Sequence, residues 1–525
     1  MKPSLNRRQF LGGSALLAPG TLVPNITSAS NSIKSVQPLA KPRRTMYFND
    51  ARHYYLYAFD PPLSMKDAWR PVDELTGTSV NTLIYGVETG GLFSDTKVGI
   101  RAMSQLRPFQ GAHYWRAWYN MQSLIDRGLD PLRVLIDRAH EHELDFIISM
   151  RMGGGPRDPR YQIGTSGLLA GAGGRHRQEN NPDFAQKPVR DLRFAWIEEL
   201  ASYPVEGIEF DFAYTPFYFK PNQIKDHMSL MTEYVRRLSE MARSKGPNRI
   251  VGARVFPTES MNRALGLDVK AWVEQKLVDY VAPLYYGYFL LDPNLPFESL
   301  VTIAHRSGAE VYPVLQPYFL EHSEHATPAM LRAAIANYWS KGADGLIVGP
   351  WFPWPFREEE RTLLTEIGDP AIVKESNKHY FISPRLKDAA ELGYNHPLPL
   401  NLKSAHPELK EDITFYAADD FRSNRVGRVR LLLRVRNLVA ADEFNVFLNK
   451  QSLAGESLRR TSHRYDFQWL EFTLNKIRPR QGSNTLSVQL RSRPEGLEGG
   501  VTIDQSELLV EYNQPQSVSV RPDFL

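Results

Sequence analysis

Gly207-Ile208-Glu209-Phe210-Asp211-Phe212 sets two carboxylates two residues apart in an otherwise apolar run. In an extended strand alternate side chains share a face, so Glu209 and Asp211 point one way and Ile208, Phe210 and Phe212 the other. A carboxylate in such a run is costly to bury unless it is paired or used. The stretch is also the fourth of eight strand-then-helix units, and that repetition decides the fold.

The spacing predicts strands at Tyr54–Phe59, Asn81–Val87, Leu144–Met150, Gly207–Phe212, Ile250–Phe256, Val278–Tyr285, Glu310–Leu315 and Gly345–Val348. Helical patterns lie between them, and Asp130-Pro131, Asp268 and Thr327-Pro328 read as capped helix starts. Strands alternating with helices imply parallel βαβ units. Eight units fit an α/β fold, a (β/α)8 TIM barrel of roughly 250 residues plus insertions. It is expected over residues 46–372. An open doubly wound sheet is the rival, but no glycine-rich dinucleotide turn follows the first strand. Residues 373–394 read as a connector. From 395 to 515 short strand-like runs separated by turn residues predict a C-terminal antiparallel β-sandwich, followed by a tail over 516–525.

A chain of 525 residues, 42% hydrophobic and 23% charged, is expected to hold two globular domains. A net charge of +4 gives no reason to invoke nucleic acid. Residues 1–30 carry Asn6-Arg7-Arg8-Gln9-Phe10-Leu11 before a mildly apolar run, which resembles a twin-arginine export signal, with residues 31–45 as a linker. That run is too short and too rich in Gly and Pro to span a membrane. The expectation is a periplasmic or extracellular protein that meets the twin-arginine machinery during export. The absence of cysteine excludes disulfides, thiol catalysis and thiolate metal sites.

Barrel chemistry sits at the C-terminal ends of the strands. That rule selects Asp211 and Glu209 on the fourth strand, Glu88 after the second, Arg151 on the third, Arg254 on the fifth, Tyr285 and Tyr286 on the sixth, Gln316 on the seventh and Trp351 after the eighth. Alternation puts Arg151 and Arg254 on the inner face, flanking Asp211. Opposite charges within about 4–6 Å favour an ionised carboxylate. Asp211 is therefore expected to act as nucleophile or base. Glu209 lies about 7 Å along the same strand, a spacing found in inverting glycosidases. Two carboxylates stacked on one strand do not flank a scissile bond, so Glu209 is expected to support its neighbours. The proton donor must come from elsewhere: Glu88, Glu259 or Asp292, with Glu88 and Glu259 preferred.

Two long insertions follow the second and third strands. The first, Gly90 to Gly128, carries His113, Trp115, Trp118 and Tyr119, whose rings suit the apolar faces of sugars. The second, Gly153 to Lys187, carries Arg157, Arg160, Arg175, His176 and Arg177, which suit an anionic glycan. His53, His113 and His176 lack metal-ligand spacing, so no metal or cofactor is expected. A Gly-x-Ser-x-Gly elbow is missing, and Gly153-Gly154-Gly155 lacks the Lys-Ser/Thr of a phosphate loop.

These features resemble barrel glycoside hydrolases, above all in the acidic fourth strand and in Gly342-Ala343-Asp344-Gly345-Leu346-Ile347-Val348-Gly349-Pro350-Trp351. Trp69-Arg70-Pro71-Val72-Asp73-Glu74-Leu75 and Tyr203-Pro204-Val205-Glu206-Gly207-Ile208-Glu209 resemble a group of exported glycoside-hydrolase-like bacterial proteins. The fourth strand is faintly similar to the chitinase-type signature, but Ala213 stands where that signature has its proton-donating glutamate. An aspartate ending the fourth strand is similar to α-galactosidase- and α-fucosidase-like barrels, where it is the nucleophile. The resemblance implies a glycoside hydrolase acting on a polysaccharide or oligosaccharide. The alternatives are a glycan-binding barrel without catalysis and a polysaccharide lyase using Tyr286 or a histidine as base.

Overall fold

A computed structural model describes residues 44–50, 55–154, 158–164, 181–214, 216–246, 248–285, 290–320, 324–349, 356–383 and 392–513. The N-terminal part begins with strand β1 (Thr45–Asp50), short helix α1 (Tyr55–Ala58), α2 (Met65–Asp73), β2 (Thr82–Gly86), α3 (Ala112–Ile125) and α4 (Pro131–Glu141). It continues through β3 (Asp145–Arg151), α5 (Lys187–Ala201), β4 (Gly207–Asp211), α6 (Ile224–Ser244), β5 (Ile250–Val255), α7 (Glu259–Ala264), α8 (Val269–Glu274) and β6 (Tyr280–Pro283). Then follow α9 (Glu298–Ser307), β7 (Glu310–Val311), β8 (Val314–Leu315), a hairpin of β9 (Tyr318–Leu320) and β10 (Glu324–His325), α10 (Pro328–Ser340), β11 (Leu346–Val348), α11 (Glu358–Glu366) and α12 (Pro370–Lys374).

Nine strands form one parallel sheet in the order β7-β6-β5-β4-β3-β2-β1-β11-β8. Its two end strands are consecutive in the chain, separated by Tyr312 and Pro313. Proline has no N–H to donate to a ladder, yet both residues still bond sideways. Tyr312 N donates to Val281 O at 3.0 Å, and Pro313 O accepts from Ile347 N at 3.2 Å. The sheet curls strongly. Arg254 on β5 lies 4.0 Å from the ring centre of Phe48 on β1, although three strands separate them along the sheet. Both sheet faces are buried, which explains the near-continuous apolar strands. Phe212, on the outer face, packs on Trp272 and Tyr218 of the surrounding layer.

The helix starts follow their caps. Asp130 accepts from Leu132 N and Arg133 N, Asp268 from Ala271 N, and Thr327 from Met330 N. The first strand differs from expectation. Tyr55–Ala58 is helical, and Thr45–Asp50 occupies the strand position, paired to β2 and β11. The Met46-Tyr47-Phe48 core is short and ends in Asn49-Asp50, so the longer apolar run after it carried the stronger local signal. The insertion after β2 is not simply a loop, since it contains α3.

The stretch 373–394, expected as a connector, contributes β12 (Lys378–Phe381) to the C-terminal sheets. These are built from β13 (Leu400–Leu402), β14 (Glu411–Ala417), β15 (Val426–Arg436), β16 (Glu443–Leu448), β17 (Gln451–Ser452), β18 (Ser457–Arg464), β19 (Phe467–Thr473), β20 (Gly482–Ser492) and β21 (Val501–Tyr512). One sheet runs β12-β21-β15-β19-β18 with β13 beside β21, and the other β14-β20-β16-β17, all antiparallel. Their apolar faces share one core, from Ile413, Leu431 and Leu433 to Leu486 and Val510. On β15, Val429, Leu431, Leu433 and Val435 alternate inward, while Arg430, Arg434 and Arg436 pair with Glu511, Asp504 and Asp466. The two parts of Arg43–Leu525 belong to one compact unit. Asn337 of α10 joins them, donating to Pro293 O and Tyr416 O and accepting from Ala418 N. No helix among the described residues is long and apolar enough to cross a membrane.

Candidate active site

The inner face of the sheet carries two tiers of polar groups set by strand register. In the lower tier Ser149, Glu209, Gly252 and Tyr280 are lateral neighbours on β3 to β6. In the upper tier, one alternation toward the strand ends, stand Arg151, Asp211, Arg254 and Ala282.

Glu209 is fully buried, and both its oxygens are engaged. Ser149 Oγ donates to Oε1 at 2.7 Å, Arg254 Nη2 forms an ion pair with Oε1 at 2.7 Å, and Tyr280 Oη donates to Oε2 at 3.1 Å. Gly252 makes the last contact possible, because a Cβ there would lie 2.0 Å from the Tyr280 ring. Burial pushes the Glu209 carboxyl above its usual range, with the nearby Asp211 adding to this and Arg254, Ser149 and Tyr280 opposing it. Burial likewise raises the Tyr280 hydroxyl.

Asp211 is held differently. Its Oδ1 accepts from Ala213 N and Tyr214 N, both at 3.0 Å, a local turn in which the carboxylate binds the chain just beyond its own strand. Its Oδ2 accepts no hydrogen bond among the described residues, and the side chain makes no ion pair there.

The two arginines flank Asp211 in register, as alternation requires, but each forms its ion pair with a different carboxylate. Arg151 donates from Nη2 to Asp50 Oδ2 at 2.5 Å and from Nη1 to Glu88 O at 2.9 Å, and lies 3.7 Å from the Tyr214 ring centre. Arg254 pairs with Glu209 in the lower tier. A buried cation takes the carboxylate that its side-chain length reaches, and Arg151 on β3 crosses β2 to reach Asp50 on β1.

The remaining candidates fall in several places. Glu88 is buried, accepts from Gly90 N, and packs so closely on Gly154 that a Cβ there would lie 2.2 Å from Oε2. Arg193 of α5, buried and with its basicity lowered by desolvation, ties the same segment by donating to Gly154 O. Glu259 opens α7, half-buried, and makes no hydrogen bond or ion pair among the described residues. Tyr285 and Gln316 meet at the ends of β6 and β8, where Gln316 Nε2 donates to Tyr285 O at 3.4 Å. His113 and Trp115 are exposed on α3, with the Trp115 and Tyr119 rings 5.1 Å apart. Tyr286 and Trp351 lie outside the described residues, as do His53, Arg157, Arg175, His176 and Arg177. No group of three or more metal-ligating side chains occurs among the described residues.

Asp50, Tyr280, Tyr394 and His396 escaped the sequence reading. Asp50 was legible in principle, because Met46, Phe48 and Asp50 alternate onto one face. His396 carries no local signal, because it comes from a segment that joins the sheet end only through the tertiary fold.

No protein-family model and no curated protein sequence matches the chain. Its structural neighbours are glycoside hydrolases. An α-L-fucosidase isoenzyme from Paenibacillus thiaminolyticus aligns over 63% of this chain and 49% of its own length at 13% identity, with a TM-score of 0.42. The chain thus spans about half of that enzyme. The PgaB (BpsB) glycoside hydrolase domain from Bordetella bronchiseptica aligns over 62% of this chain and 99% of that domain at 12% identity and TM-score 0.42. An α-L-fucosidase from a Vibrio species covers 90% of this chain and 97% of its own at 12% identity and TM-score 0.38. Likeness at this level carries no argument about chemistry, which rests on the site itself.

Proposed function

We propose that the chain is an exported glycoside hydrolase whose reacting carboxylate is Asp211. The observation that supports this is the contrast between the two tiers. Glu209 has both oxygens engaged below, whereas Asp211, itself only 1% exposed, is oriented through Oδ1 and its Oδ2 accepts no hydrogen bond among the described residues. That is what a nucleophile or base needs: a fixed position and one available oxygen lone pair. In this reading β7 and β8 are one seventh strand interrupted at Pro313, which closes a (β/α)8 barrel. Glu259 is the better donor candidate, since Glu88 is held by Gly90 and packed on Gly154 with little room for a glycosidic oxygen. The exposed Trp115 and Tyr119 rings would carry sugar faces beyond the reacting centre.

A second reading, a glycan-binding barrel without turnover, is favoured by one observation: Arg151 and Arg254 are already paired with Asp50 and Glu209. Reducing-end release from a panel of neutral, amino and anionic glycans separates the two. The hydrolase reading expects release by the wild type, and its loss in Asp211→Asn and Glu259→Gln with binding retained. Full activity in Asp211→Asn overturns the assignment, binding without release favours the second reading, and unsaturated products absorbing in the ultraviolet point to a lyase.

A further inference from the structure

The segment leading into the C-terminal sheets returns to the ends of β6 and β8 and closes a small pocket there. Tyr285, Asp292, Gln316, Ser383, Tyr394 and His396 line it among several apolar side chains, and its centre has room for about one water-sized group.

His396 is only 6% exposed, and its Nδ1 lies 3.0 Å from Ser383 O. A carbonyl can only accept, so Nδ1 carries a proton, and a neutral ring would present Nε2 as a lone pair. That Nε2 is buried with no hydrogen-bond partner and stands 3.9 Å from Asp292 Oδ2, too far for a direct bond. Asp292 is 8% exposed; Asn294 N donates to its Oδ1 at 2.8 Å and Tyr394 Oη to its Oδ2, with no lysine or arginine paired to it among the described residues. Gln316 directs its amide nitrogen to Tyr285 O, which leaves its amide oxygen as an acceptor. The neighbouring donors are engaged elsewhere: Ser383 Oγ donates to Leu291 O, and Tyr338 Oη to Asp292 O.

The pocket therefore gathers the Asp292 carboxylate, the Gln316 amide oxygen and the unpartnered His396 Nε2, while the Ser383 and Tyr338 hydroxyls donate elsewhere and Tyr394 donates to Asp292 itself. A neutral hydroxyl donates only once. An ammonium group donates three times, is close to water in size and offsets the Asp292 charge.

We infer that this pocket binds a primary ammonium group, held by Asp292, His396 Nε2 and Gln316, and that on the glycoside-hydrolase reading its source is an amino sugar with a free amine. The substrate class narrows accordingly, from glycans at large to glycans carrying unacetylated amino sugars.

Saturation-transfer NMR on the full chain, in an amine-free buffer, tests this with D-glucosamine, N-acetyl-D-glucosamine, D-glucose and butylammonium. Glucosamine is expected to bind at least tenfold more tightly than glucose or N-acetylglucosamine. That preference is expected to vanish in Asp292→Asn and to fall in Gln316→Met, which probes the same pocket from another strand should Asp292→Asn fail to fold. Equal binding of glucosamine and glucose overturns the inference and leaves a water site, as does undiminished glucosamine binding in folded Gln316→Met. Butylammonium binding as tightly as glucosamine overturns the amino-sugar assignment. Asp211→Asn separates the two readings: if no glycan is cleaved but this variant still prefers glucosamine, the pocket stands and the hydrolase reading falls.

Discussion

Tyr280 reaches Glu209 across the bare backbone of Gly252, two strands from its own Cα, and donates a 3.1 Å hydrogen bond to Oε2. A side chain on the intervening strand would occupy the space of the tyrosine ring. Gly252→Ala is therefore expected to displace Tyr280 and leave Glu209 Oε2 without its donor. Overpacking costs about 1–3 kcal/mol, and an unsatisfied buried acceptor about 1–3 kcal/mol more. Thermal or urea unfolding measures the loss; a variant as stable as the wild type would show that the ring has another position available.

Glu209 also sets a pH dependence. Burial raises its carboxyl above the ordinary 4.5. In the window from that value up to the raised one, the unfolded chain has released the proton while the folded chain keeps it. Folding stability from this group therefore falls as pH rises through the window. Glu209→Gln removes the titration, so its melting temperature should change less with pH there than that of the wild type. Parallel curves for the two proteins would contradict the raised carboxyl.

Arg254→Met takes the cation from a glutamate that is fully buried. Removing one partner of a buried pair costs about 3–5 kcal/mol. The double variant Arg254→Met with Glu209→Gln should recover part of that loss, because no charge is then left unpaired. Denaturation of the two singles and the double gives the coupling directly.

Asp211→Asn should leave stability close to wild type, since the amide oxygen can still accept from Ala213 N and Tyr214 N. Glycan hydrolysis should drop by a factor on the order of 10²–10⁴, the usual range for a positioned acid or base. A reducing-end assay beside a melting curve distinguishes lost chemistry from lost folding.

Trp115 and Tyr119 are exposed neighbours one helical turn apart on α3. Replacing each with alanine should change stability by no more than about 0.5 kcal/mol. The same changes should weaken retention on polymeric glycans in affinity electrophoresis. Unchanged retention across the panel would remove these rings from the binding surface.

Much of the strand-helix alternation was legible because strand and helix periods are local, as were the helix starts at Asp130, Asp268 and Thr327, where the cap and the first turn are adjacent in sequence. The first strand was misplaced because Thr45–Asp50 is a strand by virtue of pairing with β2 and β11, and its own six residues carry a weaker signal than the run that follows. Trp351 and Tyr286 remain sequence-based candidates only.

The sequence by itself determined which face each inner residue occupies: Glu209 with Asp211, Ser149 with Arg151, Gly252 with Arg254. A period of two leaves no other choice once the strand is known. Only the tertiary structure decided who pairs with whom. Arg151 goes to Asp50 across β2, Arg254 to Glu209, and His396 comes to Asp292 from a segment about a hundred residues further along the chain. Those pairings depend on side-chain reach and sheet curl, through which buried charges find partners that are distant in sequence.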